Sequence, residues 1–291
     1  MAKGILCDVN LALTGTITGP AGGATADQPL ANLLNDEDYV GRPWRCPDAT
    51  ALSLTWFEQV FPEPHVFTVL GLFFHTFSMG ARYRLRGSTL ADATYAAPTV
   101  DTGWRWVHPS IIDPVDLPFG VENGFAGTVT AAELALHGRH LAAKVPEGLV
   151  ERIRIDFDDQ ENPAGWFDVG GLLLADGFSP EMNHNFDHEL GGIARDQVDE
   201  TPSGRRIADS RPPRRTVTAS YENLSAAEAR RFVDAGLRRR ATRTVLFVPN
   251  IDQPDAALRE AFPATFARLP GARIGRPGMS GSTVSLEEVL A

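Results

Sequence analysis

Two short segments most restrict the folds open to this chain. In 81–88, Arg82, Arg84 and Arg86 alternate with Tyr83 and Leu85; in 151–157, Ile153, Ile155 and Phe157 alternate with Arg152, Arg154 and Asp156. Successive side chains of a strand point to opposite faces, so a repeat of two makes a strand with one dry and one wet face. Residues 10–19 carry a weaker form of the pattern, with Leu11, Leu13 and Ile17 apolar. Segments 51–57 and 66–77 are rich in aromatic and β-branched residues and read as strands joined by the loop Pro62-Glu63-Pro64. The near-continuous apolarity of 66–74 predicts a strand covered on both faces. Residues 166–174 read as the strand paired with 151–157, while 101–145, dense in Trp, Pro, His and Gly, reads as an inserted region of long loops.

Beyond Pro180 the texture changes. Residues 181–213 show no periodicity and read as an extended arm or linker. A strand is predicted over 215–221, and Ser225-Ala226-Ala227-Glu228 is a capping box that opens a helix. Ala229, Phe232, Val233, Gly236 and Leu237 repeat at helical spacing, and Arg238, Arg239 and Arg240 fall where cations favour the negative end of the helix dipole. Strands over 244–248 and 283–286 and a short helix over 256–262 complete the reading. The expected organisation is mainly β: a jelly-roll-like sandwich over 1–180 with the insertion at 101–145, the arm at 181–213, and a small α+β domain over 214–291.

Charge is unevenly distributed along the 291 residues. The formal net charge is −10, yet between Arg205 and Arg243 there are 11 arginines and 4 acids, a local +7 that leaves −17 for the remainder. Complementary surfaces of this kind suit contacts between copies of a chain, with Arg205, Arg206, Arg214, Arg215, Arg238, Arg239 and Arg240 as the oligomer-contact candidates. An ordinary solvated face is the alternative. Nucleic acid ranks lower, because an acidic protein repels phosphate and no nucleic-acid motif accompanies the arginines. The densest apolar run, 66–77, is broken by His75 and falls short of the roughly 20 residues of a membrane span, so no membrane insertion is expected. The start has no secretory-signal pattern. The 2 cysteines, Cys7 and Cys46, read as buried thiols of a reducing compartment.

Candidate chemistry is sparse. His184 and His188, four apart with Asp187 or Glu189 nearby, have the spacing of a metal pair on one helix face, but Asn183, Asn185 and two glycines are poor helix formers, so a polar surface arm is the competing reading. Asp156, Asp158, Asp159 and Glu161 stack oxygen ligands that calcium prefers, yet the EF-hand positions for Gly and Glu hold Glu161 and Phe167. The alternative is an acidic turn closed by Asn162-Pro163-Ala164-Gly165. Trp104 and Trp106, with His108, Phe119 and Phe125, could stack on a sugar ring or form core or contact surface. No nucleophile elbow or phosphate loop is present, so no catalytic residue and no cofactor is expected.

Three segments together resemble tail-tip and baseplate structural proteins, distal-tail-type, of long-tailed bacteriophages. They are Leu30-Ala31-Asn32-Leu33-Leu34 followed by Arg42-Pro43-Trp44-Arg45; Arg152 to Asp159 with Asn162 to Gly170; and the strand, capped helix and strand from Arg215 to Val248. The resemblance implies a galactose-binding-like (discoidin-like) β-sandwich whose late hairpin is the second segment. It also implies a non-enzymatic virion component assembled in the host cytoplasm, partnered by itself as a ring and by other tail proteins. Adhesion to a host-surface glycan through Trp104 and Trp106 is the rival expectation.

Overall fold

The computed structural model describes residues 4–35, 41–108, 139–183, 188–200, 206–209, 211–253, 257, 260–275 and 280–290. Two compact units divide the chain: one holds residues up to Phe178 together with Leu246–Phe262, the other Ser179–Val245 and Pro263–Leu290.

The first unit is a mainly antiparallel β-sandwich built from β1 (Ile5–Cys7), β2 (Thr16–Thr18), β3 (Trp44–Cys46), β4 (Trp56–His65), β5 (Val69–Phe73), β6 (Arg82–Ser88), β7 (Val100–Asp101), β8 (Arg105–Trp106), β9 (His140–Lys144), β10 (Val150–Asp158), β11 (Phe167–Val169) and β12 (Gly171–Ala175). One sheet runs β2-β4-β10-β6-β7, with β8 also on β6; opposite it lie β12-β5-β9 and the pair β3-β11. From β2 to β6 the chain alternates between the layers, as in a jelly roll.

The alternation in β6 and β10 does what period two requires: Tyr83, Leu85, Ile153, Ile155 and Phe157 enter the core, with the arginines outside. At the centre lies Trp44, with its ring edge-on to Phe57 at 5.7 Å and Phe167 at 5.5 Å. Its indole N–H donates to the Gly23 carbonyl at 3.0 Å, so the one polar atom of the ring is satisfied. Asn10 ties the first turn to β12: its amide donates to Leu172 O at 2.8 Å, and its oxygen accepts from the amides of Ala12 and Leu174, both at 3.1 Å.

β5 is buried along its whole length, as its apolar run predicts. Leu70 and Leu72 face the sandwich core, while Val69 and Phe73 join Leu173, Ala175 and Cys7 in a second apolar layer. Val248 and Leu246 of β17 (Val245–Val248) complete that layer, where β17 pairs antiparallel with β1. Both cysteines are buried and free; burial pushes the Cys46 thiol up to about 11 and raises that of Cys7 further.

The second unit contains β13 (Glu189–Ile193), β14 (Gln197–Glu200), β15 (Arg206–Asp209), β16 (Arg214–Leu224), helix α1 (Ala226–Arg239), β18 (Phe262–Arg273) and β19 (Ser280–Glu288). Its main sheet runs β18-β19-β16-β13, and β14 pairs with β15 separately. The capping box of α1 is complete, with Ser225 Oγ accepting from Glu228 N at 3.2 Å and the Glu228 carboxylate accepting from Ser225 N at 2.8 Å. Ala229, Phe232 and Gly236 pack inward, with Phe232 4.6 Å from Tyr221 of β16. Gly236 is required by close approach, since a Cβ there would sit 2.6 Å from Pro270 Cδ.

The mainly β sandwich and the small α+β element at the C-terminal end follow the sequence reading, with several corrections. β10 pairs with β4 and β6, not with 166–174, which splits into β11 and β12 in the opposite layer. The proline pair 62–64 lies inside β4, and 51–55 is turn rather than strand. Residues 11–14 form a 3-10 turn, because Asn10 caps it. The 181–213 segment contains β13, β14 and β15, and the long strand β18 was not foreseen: its irregular alternation reflects two register shifts against β19. Leu237 is exposed and Arg239 is buried, the reverse of the helical reading. Of the helix predicted over 256–262, Ala257 and Glu260 are helical, Phe262 opens β18, and 256, 258 and 259 lie outside the described residues. Among the described residues, no helix is long and apolar enough to cross a membrane.

Replacing Trp44 by Ala removes the ring that joins both layers and should lower unfolding free energy by about 3–5 kcal/mol, read by urea denaturation; a loss below 1 kcal/mol would contradict its central place. A second expectation concerns His75 and His108, buried with ring centroids 5.3 Å apart. Burial lowers the affinity of both for a proton, most for His75. The unfolded chain therefore protonates first as pH falls below about 6.5, and stability is lost in that direction by up to about 1.4 kcal/mol per pH unit for each histidine. Tm should drop between pH 7 and 5, and His75→Phe should flatten that drop.

Candidate binding face

The wet faces of β6 and β10 meet in register: Arg82 stands across from Asp158, Arg84 from Asp156, and Arg86 from Arg154. Like charges opposite each other repel. Asp156 removes the conflict by accepting from Arg86 Nη2 at 2.7 Å and from Arg154 Nε at 2.8 Å. Arg152 pairs with Glu58 of β4 at 2.6 Å, and the Tyr95 hydroxyl donates to the same carboxylate at 2.8 Å. Arg84 binds Asp101 through two N–H groups, at 3.0 and 2.6 Å, which raises the guanidinium and holds the Asp101 carboxyl below its ordinary range. Arg82 is bonded to Asp158.

Aromatic rings are interleaved with these ion pairs. Arg154 lies 4.0 Å from the Trp56 ring, and Arg86 and Arg152 lie 5.4 and 5.7 Å from Tyr95. Tyr95 is held in the left-handed region, φ 54°, by a loop that folds around Asp92. That carboxylate accepts from the amides of Ala96 at 3.0 Å and Ala97 at 3.1 Å, and the bonds from Ala97 and Ala96 lower its pKa. At the far end Arg82 sits 5.8 Å from Trp104 and 5.6 Å from Trp106. Asp101 also accepts from the Gly103 amide at 2.9 Å, and Gly103 has φ 62°, so the carboxylate that anchors Arg84 also shapes the turn presenting Trp104.

Trp104 and Trp106 are 44% and 53% exposed, whereas Trp44 is buried, Trp56 and Trp166 are half-buried, and His108 is buried and belongs to the interior. The aromatic group expected from sequence therefore divides. Two indoles form an open ledge; Phe119 and Phe125 lie outside the described residues. Glu58, Trp56, Tyr95 and Asp101 were not singled out from sequence, although Glu58 stands one strand away from Arg154 in register.

The remaining candidates separate in space. Arg214 pairs with Glu287 at 2.6 Å and Arg215 with Glu288 at 2.5 Å, because β16 runs antiparallel to β19 and brings distant carboxylates beside the arginine-rich segment. Arg239 is buried, Arg206, Arg238 and Arg240 are exposed, and Arg205 lies outside the described residues. The +7 segment is thus not one continuous basic patch. Asp156 and Asp158 are engaged by arginines rather than left as a crowded anionic pair. The turn after them closes by Asn162 N–H to Asp159 O at 3.0 Å and Gly165 N–H to Asn162 O at 2.9 Å. His188 is half-buried beside β13, while His184 and Asp187 lie outside the described residues. Among the described residues no cluster of His, Cys, Asp and Glu is arranged to hold a metal.

No family model and no curated protein matches the sequence. Among solved structures, similarity is found to CBM32-1 from a family 31 glycoside hydrolase from Clostridium perfringens, over 57% of this chain and 96% of that one, at 11% identity and a TM-score of 0.35. A family 89 glycoside hydrolase from Clostridium perfringens in complex with PUGNAc is matched over 67% of this chain and 17% of its own, at 11% identity and a TM-score of 0.36. The arabinofuranosyltransferase AftD from Mycobacteria is matched over 99% of this chain and 18% of its own, at 10% identity and a TM-score of 0.32. The chain spans less than a fifth of these last two proteins.

Proposed function

We propose that the first unit binds carbohydrate on the Trp104–Trp106 ledge. The observation that carries this reading is the pair of exposed indoles sharing one guanidinium, Arg82, at 5.8 and 5.6 Å. An exposed indole offers a flat apolar face to the C–H side of a pyranose, and a tryptophan left in water without such a use is uncommon at this exposure. Arg82, tethered to Asp158, keeps N–H donors beside the ledge for sugar hydroxyls. The ion-pair lattice behind it is closed on itself, which keeps the ledge rigid before a ligand arrives and reduces the ordering cost of binding. No bond need be broken in this reading; the site binds and does not catalyse.

A second reading, an assembled component of a bacteriophage tail tip, is supported by β13. Among the described residues this strand ends its sheet, and all five of its residues are exposed, Leu190 and Ile193 among them. A bare edge strand with apolar side chains is a template for pairing with another chain, here a second copy in a ring or a neighbouring tail protein.

On a glycan array the wild-type chain should bind a defined subset of sugars, and Trp104→Ala or Trp106→Ala should weaken that binding by about tenfold or more with unchanged Tm. Absence of any glycan binding, or binding indifferent to both substitutions, removes the first reading. For the second, sedimentation velocity should show a closed oligomer that Leu190→Glu with Ile193→Glu converts to monomer; a wild-type monomer at high concentration rules it out.

A further inference from the structure

We infer that the second unit carries a binding site of its own, a trough for a saccharide bearing a single carboxylate. The sheet β18-β19-β16-β13 is covered by α1 on one face, into which Val217, Ala219, Tyr221, Val284 and Leu286 are buried. On the opposite face, a trough of about 1020 Å³ runs along β16, β19 and β18, a volume at the upper end of the roughly 300–1,000 Å³ usual for small-ligand sites.

Its floor is a row of hydroxyls. Thr218 and Ser220 of β16 stand beside Ser285 and Thr283 of β19 in register, at oxygen separations of 3.3 and 3.4 Å. Hydroxyl pairs prefer about 2.7–2.8 Å, so these are loosely engaged and retain donors and acceptors for a ligand. Ser282 of β19 alternates with Thr283 and Ser285 and lies 5% exposed on the α1-covered face beside Val284 and Leu286, so the floor is made by Thr218, Ser220, Thr283 and Ser285.

Arginines form the wall. Arg268 and Arg273 line the trough from β18, both exposed, and neither makes an ion pair among the described residues. That sets them apart from Arg82, Arg84, Arg86, Arg152 and Arg154 of the sandwich, each of which is matched by a carboxylate. Two register shifts against β19 bracket Arg268, between Phe266 and Gly271, and such bulges re-aim side chains at binding sites. Gly271 lines the trough with no atom within 4 Å of a Cβ built there, which leaves room for a ring.

Charge selects the ligand class. Two guanidiniums and the Glu222 carboxylate line the trough, so one unit of positive charge is left over. A dianionic phosphate would face Glu222 uncompensated, and a polyanion would meet an overall charge of −10. A monoanionic carboxylate matches the surplus and the fork of a guanidinium, while sugar hydroxyls match the Ser and Thr floor. This inference stands apart from the tryptophan ledge, which lies in the other unit.

The test is titration calorimetry at low salt with aldotriouronic acid, which carries one carboxylate, and with neutral xylotriose. The acid should bind and xylotriose should bind at least about tenfold more weakly. Arg268→Ala with Arg273→Ala should abolish the difference, and the double Lys variant should restore part of it. Trp104→Ala should leave acid binding unchanged, which separates this site from the ledge. Failure of the wild-type chain to bind the acid, equal binding of both sugars, binding insensitive to the arginines, or competition by inorganic phosphate at lower concentration than the acid would each overturn the inference.

Discussion

Arg86 and Arg154 stand side by side on adjacent strands, and the sandwich face exists in its present form because Asp156 lies between them and accepts from both. Removing that carboxylate would leave two guanidiniums in direct repulsion on the central strands of the sheet. From this point the pairing extends outward: Glu58 takes Arg152, Asp101 takes Arg84, and Asp158 takes Arg82. Arg82, Arg86, Arg152 and Arg154 each also lie against a ring, so charge and aromatic surface are held in one lattice. The ledge of Trp104 and Trp106 is the end of that lattice where the rings face water instead of another layer.

This arrangement gives meaning to where charge is left over. On β6 and β10, the arginines are spent on structure. In the second unit Arg214 and Arg215 are likewise matched, by Glu287 and Glu288, while Arg268 and Arg273 make no ion pair among the described residues. An excess counted along the chain therefore says little about surface potential; the informative quantity is which cations lack a partner after folding. The two features proposed as sites, an indole ledge and an arginine-walled trough, are the places where groups that fold energetics would normally satisfy remain open to a ligand.

Much of the fold was legible. Period two in 81–88 and 151–157 identified β6 and β10 and the side of each that is buried, because alternation is a property of the extended backbone itself. The doubly covered β5 and the capping box of α1 were equally local. Pairing was not: 166–174 looked like a partner for β10, but its residues fit the opposite layer, where Phe167 reaches Trp44 and Leu172 stands across from Leu72 of β5. β18 was missed because its two register shifts break the alternation. Of the candidate site, Trp104 and Trp106 could be named from sequence, while Glu58, Asp101 and Tyr95 could not, being brought in from strands and loops far away along the chain.

The sequence by itself determined a mainly β chain, the inward and outward faces of its principal strands, and the position of the capped helix α1, since each depends on neighbours within a few residues. The tertiary structure decided which charges cancel. Glu287 and Glu288 neutralise arginines more than 70 positions earlier, with separations of 73 residues in both cases, because antiparallel pairing of β16 with β19 sets them side by side. Coulomb attraction at hydrogen-bonding distance outweighs anything that proximity along the chain can report, and so Arg211, Arg214 and Arg215 of the basic segment are paired with carboxylates in the folded protein while Arg206 and Arg240 stand exposed.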